Sequence, residues 1–535
     1  MAGVNDESQE PAAEVGEPAG DQGAEPVGER GDSRSQRPTS EAFRSFVASG
    51  WAPAESPPRH LDPSAPFAAA RRQRIGEEFP GERLVIPAGT LVTRSNDTDH
   101  RFRAHSAFAH LTGIGASADP DSVLVLHPLA PDADASHEAI LYFRPRAGRD
   151  SEEFYGDARY GELWVGARPD LADVAGNTGI RCAPIEELAA DLASAGPAEE
   201  PPALRVVAGA DPSVDALVRD LCPDGREQDD AALAEALSEL RLVKDPFEIE
   251  QLRLAVGATI AGFEDVVRAL PRALAHSRGE RVIETTFGAR AREDGNSVGY
   301  ETIAAAGDHA CTLHWIRNDG PVAPGSLVLL DAGVVVESLY TADVTRTLPI
   351  SGTFSPEQRR VYEAVLAAAD AAFAAAVPGS SLRDVHAAAM AVLADRLHEW
   401  GWLPVPAAES LEPGGQFHRR WMVHGTSHHL GIDVHDCAQT RRDVYLGGPL
   451  RPGMVFTIEP GLYLKADDLL VPAEYRGIGV RIEDDVLVTE DGNENLTAAL
   501  PRAADDVEAW MARLLATGEG ARQAAAGPAR PQPPG

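Results

Sequence analysis

The chain has 535 residues, enough for two domains with tails, and a formal charge of −35 from 83 acidic and 48 basic side chains. With no basic stripe to neutralise phosphates, that charge argues against nucleic acid or an anionic membrane as a main partner. No apolar run is long enough to span a membrane, and the start Met1-Ala2-Gly3-Val4-Asn5-Asp6-Glu7 lacks the basic and apolar segments of a secretory signal, so a cytoplasmic protein is expected.

Residues 1–65 are rich in Glu, Gly, Pro, Ser and Ala, with hardly any apolar periodicity before Phe43, and predict a disordered acidic tail. From 66 to 230, short apolar strands (Leu84 to Ile86, Ser122 to Leu126, Ala139 to Phe143) alternate with helical stretches such as Ile185 to Ala193, the pattern of an α/β domain. Ala231 to Val243 reads as an amphipathic helix broken at Lys244-Asp245-Pro246, so 231–245 is a linker helix and the domain boundary falls there. Residues 246–516 contain a weak repeat. Phe247 to Leu270 and Arg281 to Glu293 form two helical patterns followed by strands, and Pro356 to Val377 and Leu382 to Trp400 form two more. Ser355-Pro356-Glu357-Gln358 opens the third helix as a capping box with Pro at its first position. Two such halves folded together predict an α+β domain with a curved, mainly antiparallel sheet covered by helices. A second disordered tail is expected over 517–535. Cys182, Cys222, Cys311 and Cys437 are scattered without metal-type spacing and read as reduced thiols. Lys244 and Lys465 are the only lysines, which fits GC-rich coding or adaptation to salt.

In Gly479-Val480-Arg481-Ile482-Glu483-Asp484-Asp485, alternation places Arg481 and Glu483 on one strand face and Val480 and Ile482 on the other. Burying such charges unpaired is very costly, so Glu483 needs a neutralising partner. Upstream, the strand from Ser326 ends in Asp331, and a turn leads to a strand bearing Asp343. His428 lies in His424-Gly425-Thr426-Ser427-His428, and Glu459 ends the strand from Gly453. Singly, an Asp at a strand end reads as a turn residue and a His among Gly, Ser and Thr as a cap. Together, four carboxylates and one imidazole within one predicted sheet carry about the charge that two divalent ions cancel, which predicts a two-metal site.

The order Asp, Asp, His, Glu, Glu resembles the metallopeptidases of the pita-bread fold, and the wording of Asp331-Ala332-Gly333, Thr341-Ala342-Asp343-Val344-Thr345-Arg346-Thr347, His424 to His428, Ile458-Glu459-Pro460-Gly461 and Gly479 to Asp485 resembles aminopeptidase P among them. The likeness extends upstream through Val92-Thr93-Arg94-Ser95-Asn96-Asp97 and spans roughly Phe67 to Leu514. The Asp331–Asp343 interval looks one residue longer than in the best-known bacterial members. The resemblance implies hydrolysis of the amino-terminal Xaa-Pro bond through a metal-bridging hydroxide. It implies Asp343 and Glu483 as bridging ligands, Asp331 completing one ion, and His428 with Glu459 the other. Oxygen-rich ligation suits Mn²⁺, with Co²⁺, Fe²⁺ and Zn²⁺ as competitors. Catalytic roles fall by resemblance on His314, His424, His435, Glu459 and Arg481, and substrate contacts on Asp97, Tyr300 and Trp164. Asp97 reads equally as a turn residue, and Trp164 as core packing or as a group presented across a subunit interface. His429 should face away from the ions, and His418, Arg419 and Arg420 read as a solvated loop. The implied partners are peptides with proline second, and a homodimer or homotetramer. Prolidase, acting on Xaa-Pro dipeptides, is the alternative with the same ligands. A non-catalytic binding protein is a rival of another class, disfavoured by the intact ligand set.

Overall fold

A computed structural model describes residues 38, 40–52, 60–196, 201–223 and 227–525, with side chains through 516. The chain divides into two compact units. The smaller joins Met1–Ala54 to Arg146–Arg168. In it Ser40 caps the helix Glu41–Ala48 by accepting from Phe43 N at 3.2 Å. This helix lies inside the segment expected to be disordered. It forms because the aromatic residues of that segment find partners: Phe43 meets Tyr155 edge-on at 5.2 Å and Trp51 meets Phe154 at 5.7 Å. Residues 1–37, 39 and 53–59 of the expected tail lie outside the described residues.

In the larger unit a five-stranded sheet runs in the order Arg181–Pro184, His137–Phe143, Val123–Pro128, Arg83–Pro87, Leu204–Val206. The three central strands pair antiparallel and the two outer ones parallel to their neighbours. Alternation sends Leu84, Ile86, Leu124 and Leu126 to one core and Val85, Val123, Val125 and Tyr142 to another, so helices cover both faces. The helix Glu227–Leu240 then leads to the long helix Pro246–Leu274, whose start is fixed by Asp245 and Glu248 as a capping box with Pro246 at its first position. Buried Arg71, on the helix Ala65–Glu78, grips Asp245 at 2.6 Å and lies 3.6 Å from Glu248.

Beyond that joint, Pro246–Leu274 packs on Gly279–Glu293 and Pro356–Ala375 on Leu382–Glu399, the two helix pairs of the expected repeat. Their strands are antiparallel throughout. Leu327–Ala332 pairs with Val344–Pro349, setting Asp331 opposite Thr345, and with Ile303–Ala306. Val455–Ile458 pairs with Asp484–Thr489, and Gly461–Leu464 with Ile478–Arg481. The ligand-bearing strands therefore belong to separate short sheets rather than one, and the bridge from Thr345 to Glu483 is among the contacts that tie the two halves. The last helix, Ala504–Ala525, runs into the segment expected to be a tail from 517, and residues 526–535 lie outside the described part.

Candidate metal centre

The bridge between Thr345 and Glu483 brings the carboxylates together. Asp343 directly precedes the strand Val344–Pro349, and Glu483 sits where the chain leaves one sheet for the next. Candidate ligand atoms of Asp343, His428 and Glu483 lie within 4.8 Å of one another. His428 Nε2 is 3.3 Å from Asp343 Oδ2 and 3.7 Å from Glu459 Oε1. Asp331 joins through Tyr300, whose hydroxyl stands 2.6 Å from Asp331 Oδ1 and also meets Asp343, its one proton shared between the two carboxylates. Tyr300, expected at the substrate, is thus in contact with two of the predicted ligands. His428 is not on a regular strand. It is held at a sheet edge by Thr457, whose N–H donates to the His428 carbonyl at 2.9 Å, and by the bridge from His429 to Phe456.

Glu483 finds the partner its sequence demanded through an intermediary. Arg481 Nε donates to Thr345 Oγ1 at 3.1 Å, and Thr345 Oγ1 donates to Glu483 Oε2 at 2.7 Å. The Arg481 guanidinium pairs with Asp331 and donates to the Tyr463 hydroxyl at 3.0 Å. Tyr463 in turn contacts His424 Nε2 at 2.7 Å. Because His424 Nδ1 faces the Gly425 carbonyl at 2.6 Å, it carries the proton, and Nε2 accepts from Tyr463. His435 stands edge-on to His428 with ring centres 4.4 Å apart. Its loop is locked from below. Buried Asp436 accepts from Arg241 Nε at 2.9 Å and lies 3.4 Å from Lys244 Nζ.

The electrostatics show what this cluster lacks. Burial, with Asp343 and Asp331 adding, pushes Glu459 up to about 7 against the opposing charges of His428 and Arg481. Burial and the neighbouring Asp343 raise Glu483, and burial raises Asp331. Burial alone would lower His428, but Asp343 and Glu459 outweigh it and lift the ring to about 9. So many carboxylates closing on one imidazole hold more negative charge than the protein neutralises, and hard oxygen donors with one nitrogen fit divalent ions.

Of the remaining predicted residues, His314 lies close enough to His424 and His435 to act on their rings electrostatically, and the others are dispersed. His314 is exposed on the irregular stretch after Gly307–Cys311. Asp97 is exposed at the tip of the hairpin formed by Thr93–Ser95 and Thr98–Asp99, outside the buried cluster. Trp164 belongs to the smaller unit and donates from its indole to the Tyr155 carbonyl at 2.8 Å. His429 packs against Tyr445 and Phe456. His418 corrects the expected solvated loop: it is 3% exposed and held by Ser410, because the short helical turn Phe417–Arg420 rotates it inward. Three residues were missed. Thr345 and Tyr463 fall on the site by period-2 alternation from Asp343 and Glu459, a signal the sequence carries. Buried Asp485 accepts from Asp343 N at 3.2 Å, and its place beside Asp484 gives no such signal.

A family model for Metallopeptidase family M24 matches residues 250–490, and one for the amino-terminal domain of aminopeptidase P matches residues 68–201. Xaa-Pro aminopeptidase 1 of Streptomyces coelicolor is 54% identical over 471 residues, covering 88% of this chain and 91% of the relative. The chain belongs to the aminopeptidase P family. Xaa-Pro aminopeptidase of Escherichia coli is 32% identical, covering 82% of this chain and 96% of its own. A solved variant of Escherichia coli aminopeptidase P in complex with substrate superposes with a TM-score of 0.70 at 29% identity, covering 85% of this chain and 99% of that one. Family membership fixes the pita-bread architecture and the activity, that of a metal-dependent Xaa-Pro aminopeptidase. Among the described residues no helix is long and apolar enough to cross a membrane.

Proposed function

We propose that this aminopeptidase works with two divalent ions, most suitably Mn²⁺, held by Asp331, Asp343, His428, Glu459 and Glu483. The observation that carries the reading is the convergence of Asp343, His428 and Glu483 where the two half-sheets meet, with Asp331 and Glu459 beside them. Asp343 and Glu483, from two different segments of the chain, would be shared between the ions. Asp331 would complete one ion, and His428 with Glu459 the other. When bound, such ions activate the attacking water at neutral pH and polarise the scissile carbonyl.

The chain's own residues supply orientation. Arg481 and Tyr300 fix the Asp331 carboxylate from two sides, so its oxygens cannot turn away. His424, lowered to about 4 by burial and by Arg481, stays neutral and adds no competing charge. By resemblance it joins His435 and His314 in holding the peptide and the oxygen that gains charge during attack, a role that needs its ring N–H to leave the Gly425 carbonyl. Among the ligands, Glu459 is assigned the proton exchange that hydrolysis requires. Proline in the second position leaves no N–H on the scissile amide, so recognition must rely on shape. Val423, beside His424, and Ile316, near His314, are exposed apolar side chains of the kind a pyrrolidine ring covers. Asp97 is assigned to the free α-amine, and Trp164 to a subunit contact in a homodimer or homotetramer. The four free cysteines suit a reducing cytoplasm.

The test strips the protein of metal, adds Mn²⁺ back, and follows release of the first residue from Arg-Pro-Pro, Gly-Pro and Ala-Ala-Ala alongside the bound-metal count. Two ions per chain at full activity, with Arg-Pro-Pro cut and Ala-Ala-Ala intact, is the expected result. Full activity with one ion would remove the bridging roles of Asp343 and Glu483, and cleavage confined to Gly-Pro would make the enzyme a dipeptidase.

A further inference from the structure

His314 lies on a stretch that has little core of its own. Residues 312, 314, 316 and 317 are exposed and only the half-buried Leu313 and Trp315 pack against the core, so apolar burial alone holds the imidazole weakly. What fixes it is a carboxylate with no access to solvent. Glu280, at the start of the helix Gly279–Glu293, is 0% exposed and accepts four hydrogen bonds, all from residues 306–320. Its two oxygens divide the work. Oε1 takes Ala306 N at 2.8 Å and His309 Nδ1 at 2.7 Å, before His314. Oε2 takes the Trp315 indole at 2.9 Å and Gly320 N at 2.6 Å, after it. The His309 and Trp315 rings stack with centres 3.8 Å apart, so the two halves of the clamp also touch each other. Gly320 keeps the clamp closed, since a Cβ would come within 2.8 Å of Glu280 Oε2 and 2.6 Å of the His309 ring and push one of them aside.

We propose that Glu280 is a positioning residue for His314, holding the imidazole in place by clamping both flanks of its loop. The proposal rests on the reading of His314 as a substrate-facing group. A buried carboxylate that makes four bonds to one loop is a costly arrangement, because losing any donor leaves charge uncompensated. The amide of Glu280→Gln can still accept on one oxygen, but its NH₂ would face two N–H donors. One flank of the clamp is released while the side-chain volume is kept.

The experiment is a double-mutant cycle on Arg-Pro-Pro hydrolysis with Glu280→Gln, His314→Ala and the pair, each loaded with Mn²⁺ and normalised to folded, metal-bound protein. Misplacing a reacting group by about 1 Å costs on the order of 10²-fold, so Glu280→Gln should lower kcat/KM by roughly that factor at unchanged metal content. In the His314→Ala background the same change should cost less than about twofold, because the group it positions is gone. A role in folding alone predicts equal losses in both backgrounds, and that result would overturn the proposal. So would a Glu280→Gln enzyme as active as the parent while His314→Ala is impaired. If His314→Ala is itself fully active, the reading of His314 fails and takes the proposal with it. Should Glu280→Gln not fold, Trp315→Phe removes one donor and keeps the stack. A several-fold loss that vanishes without His314 supports the clamp, and no loss overturns it.

Discussion

Tyr463 joins two groups that the sequence offered separately, His424 and Arg481. Tyr463→Phe removes that hydroxyl and leaves a wholly buried guanidinium one acceptor short. Steady-state kinetics should show kcat/KM down by about 10–100-fold, the range typical of groups that orient metal-site residues. Asp343→Ala or Glu483→Ala should abolish turnover with the fold largely kept, and retained activity in either would sink the two-metal mechanism. The titration of the site gives a pH test. Glu459, raised to about 7, holds a proton in the folded metal-free protein that the unfolded chain releases near its ordinary value. His428, raised to about 9, gains stability from its proton that is lost as pH climbs through that value. Both signs agree: the melting temperature of metal-free protein should fall as pH rises from about 5 to about 9. Divalent ions take the place of those protons, so Mn²⁺ should flatten the slope. An equal slope with and without metal would contradict the account.

At the scale of elements, the close approach of two strands depends on Gly333. A Cβ there would lie 1.6 Å from the Ala342 carbonyl oxygen, which is backbone and cannot swing aside. Gly333→Ala should therefore part the strand Leu327–Ala332, which carries Asp331, from the chain leading to Asp343, and lose bound metal, measured by atomic spectroscopy, together with activity. Much of this was legible beforehand. The carboxylates announced themselves because charges on apolar strands have no bland explanation as a set, and the helix from Pro356 was marked by its capping box. Separate sheets were not legible, since alternation specifies a face and not which neighbour a strand pairs with. Glu280 was invisible for a related reason. Its four donors lie 26 to 40 residues away, and on a helix it looks like any polar position until the loop folds over it. His418 was misjudged because three polar residues in a row suggest solvent, while one helical turn buries one of them.

Across the whole molecule, two buried ionic joints tie the amino-terminal half to the catalytic half. Arg71 with Asp245 and Glu248 anchors the long helix, and Asp436 with Arg241 and Lys244 anchors the loop of His435. The two most deeply buried carboxylates of these joints are depressed: Glu248 falls to about 2, where burial is outweighed by His110, Arg71 and Lys244, and Asp436 falls further under Arg241 and Lys244 despite its burial. Stability drawn from them is present above the ordinary carboxylate range and is lost as pH falls toward 2. Asp436→Asn leaves Arg241 and Lys244 buried without their counter-charge, a change worth about 3–5 kcal/mol, and should lower the thermal midpoint while weakening turnover through His435.

Enclosure of Lys244 under Asp436 also decides how the protein can be handled chemically. Lys244 is 3% exposed and Lys465 is exposed, so an amine-directed reagent reaches a single lysine on the folded chain. Lys465 follows directly on the strand Gly461–Leu464, two residues beyond Tyr463. A dye or tether on that side chain sits at one defined place near the catalytic strands.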